Sequence, residues 1–134
     1  MDDVHRFCDD YEPTVIILDQ LRNVKNGEGE IVRRLETAGQ DLRDLLAQRG
    51  LVGVSVAQAG GSAEGAVWLA MDDIDSSKTG LPGTMDLIVG IGANEEMLRR
   101  NQRALSPVKN KLSDDPKNHE GFIVEVDLQR SRVL

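Results

Sequence analysis

The sequence predicts an α/β fold: a mostly parallel sheet flanked by helices, finished by a C-terminal β-hairpin. Three observations predict it. Two apolar runs, Thr14 to Leu18 and Leu51 to Ala57, lack the alternation of a half-exposed strand and ask for burial on both faces. A long amphipathic helical pattern separates them, and that is the connection parallel strands need. The core must be aliphatic, because aromatics are only 3% of the 134 residues while hydrophobic residues are 40%. Val, Ile, Leu, Ala and Met suit a buried sheet with helices on its faces. The length fits one domain spanning 1–134.

The elements follow in order. Val4, Phe7, Cys8 and Tyr11 fall at helical spacing, so the chain opens with a short amphipathic helix. Glu12-Pro13 breaks it, because the residue before proline is pushed out of the helical region. The first strand then ends on Asp19. Asn26-Gly27-Glu28-Gly29 reads as a loop. Ile31, Leu35, Ala38, Leu42, Leu45 and Leu46 repeat at three and four residues, with Arg33, Arg34, Asp41, Arg43 and Asp44 on the wet side. Gly50 stops this helix, and the second strand ends on Gln58.

Ala59 to Gly65 is rich in Gly, Ala and Ser and reads as an exposed loop. Trp68, Leu69 and Met71 lead into the polar stretch Asp72 to Gly80. Asp86 to Ile91 is a third apolar strand, and Glu95 to Arg103 a charged helix or excursion. Ala104 to Lys109 reads as a strand and Ser113 to Glu120 as a turn. Phe122 to Leu128 alternates like a half-exposed strand, on which Arg132-Val133-Leu134 closes a hairpin.

Composition excludes several classes. A net charge of -7 is wrong for a general nucleic-acid-coating surface, though not for contact through a few loops. The single cysteine, Cys8, excludes an internal disulfide and a multi-cysteine zinc site, and points to a reducing cytoplasm. No apolar run approaches the roughly 20 residues of a membrane span, and the acidic start Met1-Asp2-Asp3 is wrong for a signal peptide. His5 and His119 lie far apart in polar surroundings and read as surface residues, and no Ser/His/Asp or Cys/His arrangement is suggested. An acidic receiver-like signalling domain would need an acidic pair ending the first strand. Asp9 and Asp10 instead fall on a helical pattern.

The chemistry concentrates at two strand ends. A carboxylate at the end of a buried strand, such as Asp19, is held rigidly and can hold the water shell of Mg²⁺ beside a triphosphate. The same residue type also caps a following helix. An amide on the neighbouring strand, such as Gln58, can hydrogen-bond a γ-phosphate or the attacking water, or simply satisfy loop backbone groups. In open parallel sheets, ligands sit beyond the carboxyl ends of the strands. If the two strands are neighbours, Asp19 and Gln58 share that end.

In combination the residues resemble a known family. Pro13-Thr14-Val15-Ile16-Ile17-Leu18-Asp19, the long helix, then Gly53-Val54-Ser55-Val56-Ala57-Gln58 resemble the Walker B and sensor strands of the RecA/DnaB superfamily. Asp73 to Gly80 followed by Met85-Asp86-Leu87-Ile88-Val89 resembles that family's serine loop and the strand after it. Val108-Lys109-Asn110-Lys111 resembles its K-x-R segment. The pattern runs over residues 13 to 128 and is most similar to phage replicative helicases, including the helicase half of fused primase-helicases.

The resemblance implies a partial RecA-like, P-loop NTPase fold and a role for each matching position. Asp19 would be the Mg²⁺-linked carboxylate and Gln58 the γ-phosphate sensor. Lys109 and Lys111 would reach the nucleotide of an adjacent subunit, with Lys111 where the family carries an arginine finger. The loops at 59–66 and 72–84 would touch single-stranded DNA, with Ser76, Ser77, Lys78 and Thr79 as the contact residues. Against that, these loops carry Glu64, Asp72, Asp73 and Asp75 beside Lys78, a poor charge balance for phosphates.

No G-x-x-x-x-G-K-[ST] phosphate loop occurs, and Ser77-Lys78-Thr79-Gly80 is a decoy, with no glycine in 72–77 and no strand feeding it. The family's catalytic glutamate, upstream of Walker B, is absent too. The expectation is a fragment of a DnaB-like replicative helicase. ATP and Mg²⁺ serve the intact protein, and neither binds this chain tightly. Single-stranded DNA and a homo-oligomer, a ring hexamer in the family, are the implied partners, in the cytoplasm of a bacterial or phage-infected cell. The alternative is a non-catalytic RecA-like binding or assembly module, a degenerate paralogue. A core without its first strands should also expose an apolar sheet edge beside strand 14–18 or 51–57, covered by self-association or by the N-terminal helix.

Overall fold

The computed structural model describes residues 2–23, 31–74 and 80–134. They fall into two compact units, one of residues 1–58 and 76–85, the other of 59–75 and 86–134.

In the first unit, α1 (Asp2–Tyr11) is the amphipathic N-terminal helix, and it buries Cys8. It stops at Glu12, whose φ of 45° leaves the helical region just before Pro13. Strand β1 (Val15–Leu18) follows, then a 3-10 turn at Leu21–Asn23. Helix α2 (Ile31–Arg49) carries the predicted apolar stripe inward: Leu35, Ala38, Leu42 and Leu45 are all buried. It ends on Gly50 at φ 65°, where the Leu51 N–H donates back to the Leu46 carbonyl. That six-to-one bond with a left-handed glycine is a Schellman cap, and it turns the chain into β2 (Val52–Ser55).

Strands β1 and β2 pair in parallel, with Val15 opposite Val52 and Leu18 opposite Ser55. Cys8, Ile16 and Leu45 form the centre of the core, with Val4, Leu18, Leu46 and Leu51 packed around them. Gly53 lies against the Leu46 side chain with no room for a Cβ, so α2 sits close on β2. The unit is completed by a short helix, α3 (Gly80–Thr84), which buries Leu81 and Pro82. Gly39 of α2 makes room for it: a Cβ there would stand 2.8 Å from a Leu81 methyl. The Arg43 guanidinium donates to the Thr84 carbonyl at 2.6 Å. The C-terminal part of the expected 72–84 loop is therefore a helix packed on α2.

The expectation that both faces of the first strands are buried is corrected. Ile16 and Leu18 face the helices, but Ile17 is 71% exposed, and Val15, Val52, Val54 and Val56 are exposed too. Both helices stand on one side of this two-stranded sheet. The N-terminal helix covers the Ile16 face, so what stands open is an apolar face as well as an edge.

The second unit is built on an antiparallel sheet ordered β3-β4-β5-β6. Strand β3 (Leu87–Gly92) leads through α4 (Glu95–Arg99) into β4 (Gln102–Asn110). Asn94 caps α4 by accepting from the Met97 N–H at 2.9 Å. Strand β5 (Phe122–Asp127) follows a 3-10 turn at Pro116–His119, and β6 (Arg132–Val133) closes the C-terminal hairpin, Val126 opposite Val133.

The mostly parallel sheet is thus not what forms: β1-β2 is parallel, while the β3-β4, β4-β5 and β5-β6 pairings are antiparallel. The reason is the connection. Between β3 and β4 stands only the short α4 with its turns, too little chain for a crossover, so the chain reverses beside itself. Asn101, at φ 55°, makes the turn into β4.

Segment 66–69 lies on one face of this sheet. Gly92 abuts the Val67 carbonyl, Gly90 the Leu69 side chain and Gly121 the Trp68 ring. Leu87, Val89 and Ile91 are exposed.

Candidate nucleotide-facing strand ends

The parallel register fixes what the two strand ends can do. Leu18 pairs with Ser55, so Asp19 directly follows β1, whereas Gln58 stands three residues past Ser55, where β2 ends, and not at the strand end expected from the Leu51 to Ala57 run. The Val56 N–H donates to the Leu18 carbonyl at 3.3 Å, and the Ser55 hydroxyl reaches the same carbonyl at 3.0 Å. The backbone that presents Asp19 is therefore held from β2. Asp19 is exposed, and the Asp19–Gln20 peptide is cis.

The next residues form the 3-10 turn, closed by the Asn23 N–H on the Gln20 carbonyl at 2.9 Å. Leu21 is buried beneath it at 2% exposure and anchors it, which sends Arg22 outward. The Arg22 Nη1 donates to Gln58 Oε1 at 2.7 Å. Sequence reasoning missed Arg22. Its only signal is its place three residues after Asp19, and nothing in the sequence says that a 3-10 turn will aim it at the other strand end.

Lys109 and Lys111 belong to the second unit. Lys109 stands in β4 opposite Ile88, half-buried. Lys111 is exposed just past the strand, its N–H on the Asp86 carbonyl at 2.8 Å. Ser76, Ser77, Lys78 and Thr79 lie outside the described residues.

The 59–66 segment contains a 3-10 turn, Gly61–Ala63, and is tied down by Asp73. The Asp73 carboxylate accepts from the Ala70 N–H and from the Ser62 hydroxyl, both at 2.9 Å. The Gly60 N–H donates to the Asp73 carbonyl at 2.7 Å, and Ala59 bridges Ile74. The Ala70 N–H first, and then the Ser62 hydroxyl, hold the Asp73 carboxyl below its ordinary range by favouring the charged form.

Among the described residues no three or more His, Cys, Asp or Glu side chains group as a metal site. Mg²⁺ beside a nucleotide needs no such cage, because one or two carboxylates with waters and phosphate oxygens suffice. A single exposed strand-end carboxylate fits that share. No helix among the described residues is long and apolar enough to cross a membrane.

Together these features define an α/β chain in which Asp19 and Gln58 follow the carboxyl ends of a parallel strand pair. No family model matches the chain, and no curated protein matches it. Among solved structures it is similar to a DnaB-like replicative helicase that was described together with its interactions with primase, with a TM-score of 0.79 at 12% identity. The likeness covers 98% of this chain and 33% of that one, so the chain spans about a third of the length of the protein it matches. Its fold is similar to that part of the helicase, with the antiparallel second unit included.

Proposed function

We propose that this chain is part of the partial RecA-like ATPase core of a DnaB-like replicative helicase, in which ATP hydrolysis drives translocation along single-stranded DNA. One observation carries the reading. In a chain whose fold is similar to part of a replicative helicase over 98% of its length, Asp19 directly follows β1, and Gln58 stands three residues past the end of β2, its parallel neighbour.

In this reading Asp19 orients the water shell of a Mg²⁺ bound with the triphosphate, and Gln58 meets the γ-phosphate. Bound Mg²⁺ neutralises charge on the phosphates. The chain's own part is to present Asp19 from the end of β1 and Gln58 from the segment after β2, where Arg22 bonds it. Lys109 and Lys111 serve the nucleotide of a neighbouring protomer, and Ser76, Ser77, Lys78 and Thr79 serve the DNA strand. The sequence contains no phosphate loop, so residues 1–134 alone do not turn over ATP.

Steady-state ATPase measurement on purified 1–134, with and without single-stranded DNA, checks this. Background rates are expected in both. Robust turnover abolished by Asp19→Ala would show a complete active site in this chain and remove the partial-core reading.

A further inference from the structure

We propose that Arg22 is a positioning residue that sets the Gln58 amide as a hydrogen-bond donor toward a phosphate oxygen. The proposal rests on the reading of Gln58 as a phosphate-facing residue.

The argument starts from donor chemistry. A guanidinium has only N–H donors, so the atom it meets on an amide must be the oxygen. The 2.7 Å contact from Arg22 Nη1 to Gln58 Oε1 therefore settles which way the amide is turned. With Oε1 engaged by a cation, the end left to present is the NH₂ group, a pure donor. A γ-phosphate offers acceptors only, so this orientation is the useful one. The opposite flip would aim a carbonyl oxygen at an anion.

The charge on Arg22 adds to this. A hydrogen bond from a charged donor is shorter and stronger than a neutral one, and it polarises the amide so that its N–H groups donate better. The base of Arg22 is also held. Leu21 beside it is buried, and the turn is closed by the bond from Asn23 to Gln20. Because this turn follows Asp19 directly, one short segment carries the strand-end carboxylate and the group that orients the amide.

The test uses chain 1–134 labelled with ¹⁵N and titrated with Mg²⁺ and inorganic tripolyphosphate to high millimolar concentration, following the Gln58 side-chain amide by NMR. In the wild type both Gln58 Nε2 protons are expected to shift on titration. Arg22→Ala should move their starting positions, leave the backbone amides of β2 in place and weaken tripolyphosphate binding about fivefold, as loss of an orienting charged bond implies. Arg22→Lys, which keeps a cationic donor, should recover part of that loss. Arg33→Ala, which removes the same charge from α2, measures the effect of charge alone and should weaken binding less than twofold.

If Arg22→Ala leaves the Gln58 amide and the affinity as in the wild type, or does no more than Arg33→Ala, the role of Arg22 is overturned and the phosphate reading of Gln58 survives. If the wild-type Gln58 amide does not respond to tripolyphosphate, both fall.

Discussion

Replacing Gly92 with alanine should destabilise the second unit, although the change adds one methyl group to a strand. A Cβ at this position would stand 2.6 Å from the Ala66 carbonyl oxygen and closer still to that of Val67. Both obstacles are backbone, so no side-chain rotation relieves them. Forcing an extra carbon into packed surroundings costs about 1–3 kcal/mol. Removing a glycine's freedom in the unfolded chain returns about 0.4–1 kcal/mol. The net loss is about 1–2 kcal/mol, which at an m-value of about 2 kcal/mol/M lowers the urea midpoint by roughly 0.5–1 M.

Trp68 is the only tryptophan and lies in the segment that covers this face, so its fluorescence reports the right event. Gly61→Ala is the control, since a Cβ there meets nothing within 4 Å. Its midpoint should stay close to the wild type. A Gly92→Ala midpoint equal to that of Gly61→Ala would refute the claim that segment 66–67 packs against β3.

Other predictions follow from the same structure. Leu45→Ala, at a site only 2% exposed between Cys8 and Ile16, should cost about 2–5 kcal/mol in equilibrium unfolding, whereas Leu112→Ala at 70% exposure should cost almost nothing. Asp73 has its carboxyl lowered in the folded state, so its contribution is present above the ordinary value of 3.8 and is lost as pH falls through the lowered folded value. The protection of the Ala70 amide, its exchange rate taken relative to that of an unstructured amide at the same pH, should therefore fall as pH drops through the lowered folded value. Asp73→Asn should show the lower protection already at neutral pH. The open face formed by Val15, Ile17, Val52 and Val54 should drive self-association, seen as concentration-dependent sedimentation. The double change Ile17→Lys with Val54→Lys should abolish it, and a wild-type monomer at every concentration would contradict the expectation.

The local elements were legible because their signals are local. The three-and-four spacing of α2 found Leu35, Ala38, Leu42 and Leu45 on its buried face, with Leu46 half-buried beside them, and Gly50 marked the cap. The C-terminal hairpin came from alternation in Phe122 to Leu128. Pairing direction was less legible. An apolar run such as Leu87 to Ile91 reads the same whether its neighbour is parallel or antiparallel, and only the length of the connection decides. Helix α3 was hidden in a stretch of Gly, Pro and Thr whose burial comes from a fit against Gly39, a contact between distant parts of the chain. Asp19 was visible as a residue type at a strand terminus, whereas Gln58 was expected at one and stands three residues past it, because β2 ends at Ser55. Arg22 was not visible, because its contact with Gln58 spans 36 residues and depends on the turn after β1.

The central claim is that Asp19 belongs to the nucleotide site of a helicase core of which this chain is one part. It is tested most directly by single-strand-stimulated ATPase measurement on the polypeptide read in frame from upstream of Met1 through Leu134, with and without Asp19→Ala. The account predicts that the extension carries a phosphate loop, that DNA stimulates turnover, and that Asp19→Ala reduces it about 100-fold or more, as expected for losing a group that orients the metal. Turnover unchanged by Asp19→Ala, or a natural start at Met1 with no phosphate loop encoded ahead of it, would contradict the account and favour a non-catalytic assembly module.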